Sequence, residues 1–320
     1  MIRISLSAAT MLASLLLAFS PAQAQTATRA WVSGHGSDAA GCGSPAAPCR
    51  SLQYVHDHIV AAGGEVDVLD PAGYGAVTIS KAISIVNDGV GTAGVQAASG
   101  NAITINAGAS DNVTLRGLNI DGLGTGANGI IFNSGGGLTV VNCVIRHFAN
   151  TGSNTGNGIL MLPASGALSF LISNVIASDN VSAGIAFAPP SGSPTVTGVI
   201  DNVTAVNNAL GFAVLPAAGT SKIAMSNSTA SNNADIGIDA FPAGSAALTL
   251  SIDNSSISGN AIGISSGIAT ILLGRSAITS NTAVGVNDST PGTFFTYGDN
   301  RINGNGTDVE NSPLTAAAQQ

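Results

Sequence analysis

Residues 220–264 read TSKIAMSNSTASNNADIGIDAFPAGSAALTLSIDNSSISGNAIGI, and one pattern is written in them twice. Asn227 leads to Asn233 and then to Gly237-Ile238; Asn254 leads to Asn260 and then to Gly263-Ile264. Outward from this stretch the Gly-plus-apolar step recurs at Gly129-Ile130, Gly158-Ile159, Gly184-Ile185, Gly211-Phe212 and Gly285-Val286, with successive glycines 22 to 29 residues apart. A repeat of that length without helical spacing inside it is a coil that stacks on copies of itself.

Five coils align on a mark formed by Asn174, Asn202, Asn227 and Asn254, with Arg275 in the same place one turn later. Two places before the mark stand Ile172, Ile200, Met225, Ile252 and Leu273, and four before it Phe170, Gly198, Ile223, Leu250 and Ile271. These columns point inward, and the alternating positions face water, as the two-residue period of a strand requires. Six places after the mark come Asn180, Asn208, Asn233, Asn260 and Asn281. That column is an asparagine ladder: Asn tolerates the left-handed bend, and stacked amides can bond from coil to coil. The Gly-Ile strand follows, the glycine easing the turn, and each coil leaves through a loop such as Pro216-Ala217-Ala218-Gly219. The pattern predicts an all-β chain, a right-handed parallel β-helix of three-strand coils with nine or ten turns. Propeller blades of about forty residues do not fit the period.

The remaining segments follow from composition and patterning. Residues 1–24 carry Arg3, an apolar run from Met11 to Phe19 and an Ala22-Gln23-Ala24 cleavage site, the form of a secretory signal peptide. No later stretch is long and apolar enough for a transmembrane helix, so a secreted, periplasmic or extracellular product is expected after cleavage near Ala24. Residues 25–75 are expected to form an N-terminal cap. In it Cys42 and Cys49 pair as a disulfide, and a short helix begins at Ser51 with Leu52, Val55, Ile59 and Val60 on its apolar stripe, closed by Gly63-Gly64. The β-helix then spans 76–308, and 309–320 is expected to be a flexible tail. Cys143 falls in an inward column, where a buried inert thiol is expected. His56 and His58, two apart on the helix, face different ways and make no metal pair. The formal net charge is -8 with nine Lys and Arg in all, scattered singly, which excludes the basic stripe a nucleic-acid partner needs.

The opening Val32-Ser33-Gly34-x-Gly36-Ser37-Asp38, the Ala47-Pro48-Cys49-Arg50 lead-in, Leu69-Asp70-Pro71-x-Gly73-Tyr74-Gly75 and the close Tyr297-Gly298-Asp299-Asn300-Arg301 join the repeat in a resemblance. From Trp31 to about Asp308 the chain resembles the right-handed parallel β-helix proteins of the pectate-lyase-like superfamily, and within it a group of secreted bacterial proteins. The resemblance implies a fold and an envelope or extracellular setting. Most enzymes of that fold act on acidic polysaccharides, lyases through calcium and a basic residue and hydrolases through paired aspartates, in a groove along the sheet that follows the long loops.

In this sequence that sheet ends at the Asn mark, and the outward candidates on it are Asp201, Lys222 and Asp253, with Arg275 at the bend. Asp201 and Asp253 stand two coils apart, about 9.6 Å, at the far end of the range for an inverting carboxylate pair. Calcium, which enters only under a lyase reading, needs six to eight oxygens where the sequence offers lone Asp residues; otherwise no cofactor or metal is expected. Gly34-His35-Gly36 copies a short hydrolase motif but precedes the helix, and His147, with no acidic or cysteine partner at ligand spacing, is read as a surface residue. The outward column Leu171, Val199, Ala224, Ser251 and Leu272 is apolar enough to expect a cover, either the Pro-Ala-Gly loops or a partner. The reading is a structural or carbohydrate-binding protein with a polysaccharide or envelope component as partner. The opposing reading is a lyase or glycoside hydrolase using the Asp201/Lys222/Asp253 face.

Overall fold

The computed structural model describes residues 26–290 and 293–318; the expected signal peptide lies outside them. The chain winds into three parallel sheets of twelve, ten and ten strands. Each coil gives one strand to the first sheet, turns sharply into the second, turns again into the third, and returns through the Pro-bearing loop. One full coil consists of Thr220–Ser226, Thr229–Ser231 and Ile236–Ala240. Every pairing joins a strand to its equivalent one turn away, so the register predicted by the mark holds level by level: Ile172 pairs with Ile200, Ile200 with Met225, Met225 with Ile252 and Ile252 with Leu273. This is a parallel β-helix.

Inward side chains from the three sheets form one core that runs the length of the coil stack. Packing fixes it locally: Gly198 stands in a column otherwise filled by large residues because the Phe170 ring takes its space, and a Cβ at Gly198 would lie 2.1 Å from that ring.

The corners differ in detail from the sequence reading. The mark residues Asn174, Asn202, Asn227, Asn254 and Arg275 are themselves left-handed, so the first sheet turns into the second on a single residue. At the next corner the left-handed residue is the one before the ladder, namely Asp179, Asn207, Asn232, Gly259 and Ser280. The ladder asparagines therefore do not make the bend. They are buried, and each serves its neighbour twice: Asn208 Oδ1 accepts from the backbone N–H of Asn180 and from Asn180 Nδ2, at 3.1 and 3.0 Å. The same pair of bonds repeats between Asn233 and Asn260 and between Asn260 and Asn281, and it continues to Asn305. The bend's unpaired N–H groups are thereby satisfied out of reach of water. The glycine after the ladder is required for space: a Cβ at Gly211 would meet Gly237 O at 2.5 Å and Asn233 Nδ2 at 2.9 Å. A serine ladder runs beside the first corner, with Ser255 Oγ accepting from Ser228 N–H and Ser276 Oγ from Ser255 N–H.

At the N-terminal end the helix spans Leu52–His58, with the Ser51 hydroxyl accepting from Tyr54 N–H as its N-cap. Leu52 and Val55 sink into the first level of the core. Ile59 and Val60, assigned to the helix by spacing, leave it: the chain passes straight into the strand Val60–Val68, which pairs with Ala27–Val32. A β-branched pair beside an open sheet edge gains more from pairing than from another helical turn. In the stretch expected to be a tail, Thr307–Glu310 and Thr315–Ala316 still pair with the third and first sheets. Cys42 and Cys49 form the expected disulfide.

Candidate functional site

The outer face of the first sheet carries three rows. The central one runs Leu171, Val199, Ala224, Ser251, Leu272 and Phe295 across consecutive strands. Leu171 and Val199 are 36% and 40% exposed, so the Pro-Ala-Gly loops do not cover them. A shallow depression of about 270 Å³ opens over Val199, Lys222, Ala224 and Ser251. On one side lies a row of Ser169, Thr197, Lys222 and Thr249, and on the other Ser173, Asp201, Ser226 and Asp253.

Asp201 and Asp253 stand two levels apart as expected, with Ser226 between them, and each is engaged separately. Asp201 accepts from Ser226 Oγ at 2.8 Å and from Asn227 Nδ2 at 2.7 Å. These bonds, the Asn227 amide first, hold its carboxyl below the usual range, so it is an ionised acceptor at neutral pH. Asp253 takes a two-pronged bond from Arg275, Nε at 2.9 Å and the second nitrogen closer still. Lys222 stands four residues before Ser226 on its strand, hence about 13 Å away along the sheet. The face thus offers separate hydrogen-bonding stations beside an apolar strip.

Several titratable groups lie elsewhere. Asp239 is raised to about 6 by burial and by the charge of Asp235. Its position is the outward column of the third sheet, after Leu160, Ala186 and Ala213. The sequence signal for it is a lone acid following three apolar residues in one column, off the sheet that carries the other candidates. Asp70 accepts from Ser33 Oγ, from Gly34 N–H at 2.6 Å and from Tyr74 Oη at 2.8 Å. Those donors, Ser33 foremost, hold its carboxyl far below the ordinary range. His35 Nδ1 lies 3.2 Å from Asp70 as well, with the ring almost wholly exposed. His147 is exposed, as expected, and meets an acid that its sequence spacing does not show: its Nδ1 is 3.2 Å from Asp121 Oδ1 across the coil boundary. His56 is buried, and its Nε2 accepts from Ser80 N–H at 3.1 Å. Cys143 is buried, and burial pushes its thiol up to about 11, as an inert core thiol requires.

Among the described residues no three His, Cys, Asp or Glu side chains converge to hold a metal. Asp201 and Asp253, each held by its own partners, do not assemble the six to eight oxygens calcium takes. No helix among the described residues is long and apolar enough to cross a membrane.

Coil, register and ladder together define a parallel β-helix. The crystal structure of pectate lyase Pel9A matches the chain with a TM-score of 0.50 at 13% identity, over 91% of this chain and 78% of that one. Neither a family model nor a curated protein sequence matches it. A likeness at that identity concerns the fold, and function has to be argued from the surface.

Proposed function

We propose that the protein is a secreted β-helix of the cell envelope whose first sheet binds a glycan chain without cleaving it. The observation that carries this reading is the row Leu171, Val199, Ala224, Leu272 and Phe295, exposed at its first three members and half-buried at the last two, bordered on both sides by hydroxyl and charged groups. A sugar ring presents an apolar C–H face and a polar rim. The strip would take the first and the stations at Thr197, Thr249, Asp201 and Ser226 the second. The spread of these stations over several levels favours binding along a chain, whereas bond cleavage calls for groups that converge on one bond. The Cys42–Cys49 disulfide fits an oxidising compartment.

The test is incubation with a panel of neutral and acidic glycans, read both by retention on immobilised polysaccharide and by product formation. Retention weakened at least tenfold by Val199→Asp with Leu272→Asp, in protein that still folds, supports the reading. Unsaturated or hydrolysed product from any glycan overturns it in favour of a lyase or hydrolase on the Asp201/Lys222/Asp253 face. No retention on any glycan leaves the structural role as the function.

A further inference from the structure

At the corner between the first and second sheets lies a hollow of about 270 Å³, separate from the apolar strip. Its floor and far wall come from one outward row of the second sheet, where Ser256 pairs with Ala277 and Ala277 with Arg301. The row drops at Ala277 because the side chain is a single methyl, and rises again at Arg301. The upper wall is Arg275, which occupies the turn position held in earlier coils by Asn227 and Asn254. Two guanidinium groups from successive levels therefore bound one small polar hollow.

Their charges are not balanced alike. Arg275 uses Nε and Nη2 on Asp253, which leaves Nη1 without a protein partner. Its backbone N–H donates to Asp299 Oδ1 at 3.0 Å, so both nearby carboxylates are turned toward Arg275. The Arg301 backbone N–H donates to Ser276 O, but its guanidinium has no hydrogen bond or ion pair to any described residue. Every other described arginine has one: Arg29 with Asp67, Arg50 with Gly73 O, Arg116 with Asp88, Arg146 with Asp121 and Arg275 with Asp253. In a chain with 17 acidic and nine basic residues, an arginine left unpaired beside a second arginine marks a place where negative charge is missing. A guanidinium offers only donors, in a fork that matches two oxygens of one anion.

We propose that this hollow binds an oxyanion, the sulfate, phosphate or carboxylate group of a ligand, gripped by Arg301 with Arg275 Nη1 and the Ser256 hydroxyl completing the contact. The site is independent of the glycan reading of the first sheet, and its chemistry is charge-assisted where the strip's is apolar.

The test is titration of the folded chain with sodium sulfate, inorganic phosphate and sodium acetate, each against sodium chloride at matched ionic strength. The readout is the arginine side-chain Nε–Hε signals in nitrogen-15 correlation spectra. A saturable shift of the Arg301 signal by at least one of these anions, and not by chloride, is expected. Arg301→Gln should weaken the saturable binding, followed on Arg275, at least tenfold. Ala277→Leu, which fills the hollow and leaves the charge unchanged, should do the same. Sulfate and phosphate binding without acetate binding points to an ester group, and the reverse to a carboxylate. Shifts that only track ionic strength, or saturable binding that survives Ala277→Leu, overturn the proposal.

Discussion

Single carboxyl groups in this molecule respond to pH in opposite directions. Asp70 has its ionised form stabilised by Ser33, Gly34 and Tyr74 and its folded pKa lowered. Its contribution is complete above the unfolded value of about 3.9 and is lost as pH falls below it. Asp70→Asn should therefore lower stability at pH 7 and lose its effect in strong acid, checked by urea unfolding across pH. Tyr74→Phe, which removes one donor from the same knot, should cost about 1–2 kcal/mol. Asp239 has the opposite sign. Its folded value is raised to about 6, so its ionisation penalises the fold as pH rises from about 4 through 6. Asp239→Asn should stabilise the protein by on the order of 2 kcal/mol at pH 8 and by almost nothing at pH 4. A variant that behaves identically at both values would rule out the buried charge. The buried ladder is less forgiving. Asn233 Nδ2 donates to Ala205 O and to Asn260 Oδ1, while its Oδ1 accepts from Asn208 N–H and Nδ2. Asn233→Ala orphans several buried groups and should cost about 3 kcal/mol or more, whereas Asn227→Gly on the exposed turn should cost under about 1 kcal/mol.

Within a strand, what matters is how one coil's side chains make room for the next. Gly198 and Phe170 are a fitted pair across Ala167–Ser173 and Thr195–Asp201, with the ring lying where a Cβ would be. Gly198→Ala should destabilise by about 2 kcal/mol, and Phe170→Leu in the same chain should restore part of it. A double-mutant cycle with no coupling would mean the ring has other room. The glycine preceding Phe212 was legible as a repeated residue, but its cause was not. The sequence reading made it a flexible turn residue, while the structure makes it a clearance for the ladder amide and the next coil's carbonyl. The helix end at His58 was likewise missed, because Ile59 and Val60 satisfy helical spacing and strand alternation equally and only the partner strand Ala27–Val32 decides between them.

Over the whole molecule, the twelve-stranded sheet and its two partners give a rod with one continuous core. The disulfide tethers the loop beside its first level, and Cys42→Ser with Cys49→Ser should lower stability by about 2.5 kcal/mol, the chain-entropy value for so short a loop, measured by thermal unfolding with and without reductant. The coil, its period, the inward columns, the asparagine ladder and the disulfide can all be read from the order of residues. The first four are periodic, repeated so often that noise in one coil is corrected by the next, and the disulfide is a local property of one short loop. The tertiary structure alone decided which exposed groups share a place. Asp201 lies with Asn227 one coil on, Asp253 with Arg275, His147 with Asp121, and Arg275 with an unpartnered Arg301. Such contacts run between levels at right angles to the chain and involve residues that occur once, so no repetition in the sequence records them.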